Sequence, residues 1–325
     1  MSTAERDELI GCVLDDRYRI IRRIGIGGTG IVFEAGCTAD GSTVAIKTLR
    51  PCFVDHIDLG ARLQREVEVA RAVRHPGIVQ AIDDGVLIDG SPFMVMPLMH
   101  GESLSRMLLR RQRMDVAEVA VIASRTAAIL HSAHCAGYVH RDVKPEHILM
   151  NRSATGDLTV HLLDFGVCSS EGAPDEERKR EKGKVFGTPT YVSPEQASGE
   201  VDIDGRADLF SLGIVMYEAL TGRVPFSGAT VSKLLVRIIR ENAPRVSEVV
   251  PEVDSDIDAL IAGLMARRPG DRLPSARAVA RSLASHIGDR KLVERQLAKT
   301  VHASARHTDT SPTVRCKALP KRNVA

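Results

Sequence analysis

The stretch "IGIGGTGIV", residues 24–32, places Gly25, Gly27, Gly28 and Gly30 within six positions between two strand-like runs. Without side chains a backbone can approach a triphosphate, and the N–H groups of such a loop can point at its oxygens. Taken alone, the pattern serves a flexible hairpin turn equally well. Its strand-to-strand context argues against a dinucleotide fold, in which the glycines lead from a strand into a helix. The next strand carries "VAIK", where Lys47 would be an unpaired charge in an apolar strand unless a phosphate or a carboxylate met it. Glu66 is the candidate carboxylate, because it lies beside the apolar helical stripe of Leu63, Val67 and Ala70 and so can face the sheet. The alternative is an edge-strand lysine in water. Further on, "YVHRDVKPEHIL", residues 138–149, crowds two acids, four bases counting the histidines, and a proline between apolar residues.

The elements that must hold these groups are of two kinds. "YRIIRRIG", "IVFEA" and "STVAIKTL" alternate as strands, with Asp40-Gly41 as a turn between the second and third, and read as an antiparallel meander. A helix over Leu63, Val67, Ala70 and Val73 follows and stops at "HPG", residues 75–77. "GIVQAI" and "PFMVMPLM" are expected to add two more strands. After Gly101 the pattern turns helical: Val116, Val119, Ala123, Thr126 and Leu130 share one face, and "DLFSLGIVMYEALTG" is apolar nearly all round, as a fully buried helix would be. A small β-rich lobe therefore precedes a larger helical one, with a ligand-binding cleft expected between them.

The chain has 325 residues, 43% hydrophobic and 26% charged, enough for one large domain or two small ones. No run approaches the roughly 18 consecutive apolar residues of a membrane helix. "MSTAERDELIGC" is charged where a signal peptide would be apolar, so a cytoplasmic protein with no membrane span is expected. Cysteines 12, 37, 52, 135, 168 and 316 form no CxxC pair and have no zinc-ligand spacing, which suits free thiols in a reducing compartment. From Arg290 onward nine Lys and Arg stand against Glu294 and Asp309. That basic stretch could touch an anionic partner, but a solvated disordered end is the expectation, and nucleic acid is not expected as a partner.

Taken in order, "GIGGTGIV", "VAIK", Glu66, "HRDVKPEH", "DFG", "GTPTYVSPE", "DLFSLG" and Arg272 in "GDRLPS" resemble the protein kinases, most of all the bacterial Ser/Thr kinases of eukaryotic type. The resemblance implies an α+β, two-lobed fold over residues 18–287, with an antiparallel β lobe at 18–97 and a helical lobe at 98–287. Residues 1–17 are then a leader and 288–325 the basic tail. It implies transfer of the γ-phosphoryl of ATP to protein Ser or Thr hydroxyls, self-phosphorylation among them, with Mg2+ or Mn2+ as cofactor. Asp142 becomes the base that accepts the substrate proton, Lys144 neutralises the transferring phosphoryl group, and Lys47 with Glu66 completes the catalytic set. ATP binding falls to Ile24, Gly25, Ile26, Gly27, Gly28, Thr29, Gly30 and Val32 of the glycine loop, to Ala45 and Lys47, to Met96 behind the adenine and to Leu149 beneath it. Asp164 of "DFG" would hold the metal. Arg141, Thr188, Glu195, Asp208 and Arg272 take structural roles, and Arg141 would read a phosphate on the activation loop; Asp175, Glu176 and Glu177 there read either as a solvated charge run or as a replacement for that phosphate.

His147 departs from the family, which has a metal-binding asparagine at this position. Imidazole is a poor magnesium ligand and a fair one for manganese. Three readings stay open: a weaker second metal site that prefers manganese, a loop brace with one metal sufficing, or a dead site in a nucleotide-binding scaffold. Cys168 reads as a redox thiol or a small buried apolar residue.

Overall fold

A computed structural model describes residues 7–54, 56–153, 155–165, 169–170, 183 and 187–301. In the N-terminal lobe β1 (Val13–Leu14), β2 (Tyr18–Ile26), β3 (Gly30–Cys37), β4 (Thr43–Leu49), β5 (Asp83–Val86) and β6 (Pro92–Pro97) form one antiparallel sheet in the order β1-β2-β3-β4-β6-β5. The strand period of two separates its faces. Ile20, Ile31, Phe33, Ile46, Phe93 and Val95 pack together on one side. Val32, Ala45, Met94 and Met96 pack on the other with Leu63, Val67 and Ala70 of helix α1 (Ile57–Ala72). Ala45 and Lys47 share that second face, so the register of β4 aims the lysine at the helix.

In the C-terminal lobe α3 (Val116–Cys135) runs through the core; α2 (Leu104–Arg111) precedes it. α4 (Pro194–Ala197), α5 (Arg206–Thr221), α6 (Val231–Arg240), α7 (Ser255–Leu264) and α8 (Ala276–Leu283) follow. α5 is buried on nearly every side and stops at Gly222, whose φ of 73° is the left-handed geometry that glycine adopts without strain. α3 is long and apolar enough to cross a membrane, yet 61% of its apolar window is buried inside the fold. Near the cleft β7 (Glu102–Ser103), β9 (Ile148–Arg152) and β10 (Leu158–Leu162) form a sheet in the order β10-β9-β7, and β8 (Tyr138–Val139) pairs with β11 (Ser169–Ser170).

Two expectations are corrected. "GIVQAI" is no strand: Ile78 makes an isolated parallel bridge to Leu162 and faces the interlobe core, and the strand forms at Asp83–Val86. Of the leader, residues 7–17 are described: β1 pairs with β2 through Val13↔Arg19 and Leu14↔Tyr18, and Leu9 and Leu14 pack on the sheet core. The basic segment from 288 is not wholly a solvated end: Arg290–Thr300 forms helix α9, which buries Leu297 and Ala298. Residues 302–325 lie outside the described residues, as do Cys168 and residues 175–177.

One buried ion pair joins distant parts of the large lobe. Arg272 donates through Nη1 and Nη2 to the two carboxylate oxygens of Glu195 at 2.7 and 2.8 Å, and its guanidinium lies 5.0 Å from the centre of the Phe210 ring. Its side chain is 0% exposed. Arg272→Met, which leaves Glu195 buried without a counter-charge, should cost about 3–5 kcal/mol in urea unfolding. The double variant with Glu195→Leu should recover much of that loss, since replacing a buried pair as a whole is often nearly neutral.

Candidate active site

The two lobes meet over Lys47. Its Nζ donates to Glu66 Oε1 and Oε2 at 2.9 and 2.7 Å and to Asp164 Oδ1 at 2.7 Å. β4 supplies the lysine, α1 the glutamate, and the segment after β10 the aspartate. Burial pushes the Lys47 ammonium toward neutrality, but Asp164 and Glu66 outweigh it and hold the group above its ordinary value. Burial likewise raises Glu66, against the pull of Lys47. On Asp164 burial works upward too, but Lys47 and then His147 hold its carboxyl well below the usual range. Asp164 has φ 67°, a left-handed backbone that turns its carboxylate into the cleft.

The segment between β8 and β9 carries the second cluster. Asp142 Oδ1 accepts the Thr188 backbone N–H at 2.7 Å, and Oδ2 accepts from Lys144 Nζ at 2.9 Å. Lys144 Nζ also donates to Thr188 Oγ1 at 2.7 Å. Asp208 holds this segment from below, accepting the His140 and Arg141 backbone N–H groups at 2.9 and 2.8 Å, with His134 Nε2 at 2.8 Å. Gln196 Nε2 donates to the Arg141 carbonyl at 2.8 Å. Gly187 must approach closely: its φ is 97°, and a Cβ there would stand 2.7 Å from that same carbonyl.

The two histidines of the segment behave differently. His140 Nδ1 accepts the Asp142 N–H at 3.2 Å, so Nε2 carries the proton and donates to the Leu163 carbonyl at 3.0 Å. Burial lowers its pKa and favours this neutral form. His147 faces acceptors at both nitrogens: Nδ1 donates to the Asp142 carbonyl at 2.9 Å, and Nε2 lies 3.3 Å from Asp164 Oδ2.

A cavity of about 270 Å³ joins these groups. Gly27, Gly28, Thr29, Gly30, Val32, Lys47, Glu66, Met96, Asp142, Lys144, His147, Asp164 and Thr188 line it, with Leu63, Ala70, Ile78 and Met94 at its apolar end. Of the residues singled out in the sequence, Ile24, Gly25, Ile26, Ala45 and Leu149 do not line it. Ile24 and Ala45 pack in the apolar cluster around Met96, Gly25 and Ile26 pair with Val32 and Ile31, and Leu149 is 2% exposed in β9. Arg141, Glu195, Asp208 and Arg272 stand outside the cavity, supporting its walls. Among the described residues no group of three His, Cys, Asp or Glu is placed to hold a metal ion, and Cys12, Cys37, Cys52 and Cys135 are free thiols.

Glu146 was not singled out, although it stands inside the charged stretch. It lines the cavity, and its Oε2 is buried with no hydrogen-bond partner. Nearby, the Tyr191 hydroxyl donates to Glu218 Oε2 at 2.7 Å, and the Glu218 carboxyl is raised by burial, with Glu146 adding repulsion. Its only sequence signal is an acid between Pro145 and His147.

Asp208 gives the site a pH dependence. Burial would raise its carboxyl, but the hydrogen bond and charge of His134, then the His140 contacts, hold it below the ordinary 3.8. Between the lowered native value and the unfolded one the native state binds fewer protons, so this contribution is complete above the unfolded value and fades as pH falls through the native one. Acid unfolding followed by circular dichroism should set in below about pH 4. Asp208→Asn should flatten that limb.

The protein kinase domain family matches residues 18–284. The serine/threonine-protein kinase pkn3 of Myxococcus xanthus is 31% identical over 308 residues, which are 94% of this chain and 56% of that protein. PknD of Mycobacterium tuberculosis is 35% identical over 260 residues, 80% of this chain and 38% of that one. Among solved structures, the Mycobacterium tuberculosis PknI kinase domain superposes with a TM-score of 0.66 at 26% identity, covering 86% of this chain and 99% of the other. The chain thus spans about half the length of the curated relatives it matches, or less.

Proposed function

The chain belongs to the protein kinase family, and from that premise we propose that it transfers the γ-phosphoryl group of ATP to serine and threonine hydroxyls of proteins. The observation that carries this reading is the placement of Lys47, Asp142, Lys144 and Asp164 around one cavity, with Lys47 already paired to Glu66. Phosphoryl transfer needs positioning and charge stabilisation more than covalent chemistry. The glycine loop and Lys47 bind and orient the phosphates. Asp142, fixed through both oxygens by Thr188 and Lys144, receives the proton of the attacking hydroxyl as the new O–P bond forms. The bond to the bridging oxygen breaks, and ADP leaves. Lys144 offsets the charge on the moving phosphoryl oxygens.

Asp164 and His147 offer a carboxylate oxygen and an imidazole nitrogen 3.3 Å apart, a donor pair that fits one divalent ion. Such an ion would neutralise charge on the phosphate oxygens. The nitrogen favours manganese over magnesium. His147 also reproduces a brace by bonding the Asp142 carbonyl, and nothing in the arrangement favours a scaffold without catalysis. Serine and threonine are the acceptors we infer, from the Lys144–Thr188 contact beside Asp142 and from the names of the relatives. Location in the cytoplasm remains part of this proposal.

Transfer of labelled phosphate to a basic protein tests the reading. Asp142→Asn should lower kcat by about 10²–10⁴, the usual contribution of a general base. His147→Asn should raise the magnesium-supported rate and shrink the ratio of manganese to magnesium rates. No transfer by the unsubstituted chain with either metal would overturn the proposal.

Glu146 and Glu218 refine the substrate class. Glu146 lines the same cavity as Asp142, and its buried oxygen without a donor suits a basic side chain of the substrate close to its hydroxyl, with Glu218 adding negative charge behind it. Glu146→Gln should reduce kcat/KM for an arginine-containing peptide about ten-fold, the worth of a hydrogen bond to a charged group. The same change should leave a peptide with alanine in place of arginine unaffected; equal loss on both peptides would refute the assignment.

A further inference from the structure

Helix α9 lies beyond the residues 18–284 that match the family, yet it is firmly seated. Leu297 and Ala298 are 0% and 1% exposed, and Val293 and Val301 pack on the same core. Glu294 accepts from Arg125 of α3 through Nε at 3.0 Å and Nη2 at 2.7 Å. The last turn of any helix leaves carbonyls without partners, and its negative end attracts a cation. Here Arg110 of α2 supplies it: Nη2 donates to the Thr300 carbonyl at 3.0 Å.

The same guanidinium holds Glu102. Arg110 Nε and Nη2 donate to Glu102 Oε1 and Oε2 at 3.3 and 3.0 Å, and the glutamate side chain is only 6% exposed, where a charge is costly unless donors meet it. Glu102 opens β7, directly after the lobe connection. β7 pairs with β9 through Glu102↔Met150 and Ser103↔Leu149, and β9 starts one residue after His147. There is no slack above it, since a Cβ on Gly101 would stand 2.3 Å from the Met150 carbonyl. A shift of Glu102 therefore moves the strand pair beneath the cleft.

We propose that Arg110 is a positioning residue for nucleotide binding and that α9 is its buttress: the carbonyl end of α9 fixes the guanidinium, which fixes Glu102 and with it the β7–β9 pair. Two anchors on one side chain restrict rotamers that an arginine held at one end alone would sample. A change in the seating of α9 would thereby reach the cleft without touching it. The proposal rests on the nucleotide-binding reading of that cleft.

The test uses the full chain with Leu297→Asp, which puts a charge in the seat of α9, with Arg110→Ala, with both, and with Arg110→Lys. Amide exchange at residues 101–103 and 148–150 and the Kd of a fluorescent ATP analogue are measured for each. Either single change should speed exchange in β7–β9 about ten-fold and weaken the analogue several-fold. kcat at saturating ATP should stay within about two-fold. The double variant should be no worse than the worse single one, because both cut the same path. Arg110→Lys, which keeps the charge and loses the fork, should fall between. If Leu297→Asp unfolds the chain, Glu294→Ala offers a milder release of α9. Unprotected α9 amides with unchanged β7–β9 exchange, faster exchange with unchanged Kd, or simple additivity would each overturn the proposal. An unsubstituted chain with no nucleotide affinity would count against the kinase reading instead, and the exchange comparison alone would then decide the buttress.

Discussion

One ammonium group shared by two carboxylates holds the site together. Lys47 belongs to the sheet, Glu66 to the helix across it and Asp164 to the large lobe, so a single buried cation sets the relation of three elements. Removing Lys47 would strand the buried Glu66 carboxylate, whereas removing either carboxylate leaves the ammonium paired with the other. The rest of the small lobe serves this meeting. Strand alternation puts Lys47 on the same face as Ala45, and the stripe of Leu63, Val67 and Ala70 seats α1 so that Glu66 faces inward.

Much of this was legible in the sequence because the chemistry was local or periodic. Lys47 announced itself as a charge in an apolar strand, and Glu66 by its place beside a helical stripe. Where the signal was only backbone pairing, reading failed. Asp83–Val86 is poor in strand-forming residues, and its ladder to β6 is made by main chain, whereas the apolar "GIVQAI" next to it fills the space between the lobes instead. Helix α9 was hidden by its charge. Val293, Leu297 and Val301 recur every four residues, a helical face that the surrounding lysines and arginines outweighed. Glu146 was overlooked because an acid in a charged loop looks solvated, and only the burial of its oxygen distinguishes it.

His147 joins two groups that an asparagine would also meet, but with other chemistry. Its Nδ1 holds the segment that presents Asp142, while Nε2 turns to Asp164. The same ring thus braces the Asp142 segment and reaches the Asp164 carboxylate. This accounts for an otherwise intact site around an unusual residue.

Asp164 and Arg141 both have non-glycine backbones at positive φ, 67° and 63°. Each such conformation costs about 1 kcal/mol in an L-residue, a strain that glycine would relieve only by giving up the Asp164 ion pair with Lys47 and the buried side chain of Arg141. The large lobe, built on the sealed helix α5, is the reservoir of cohesion that lets those two unfavourable turns persist.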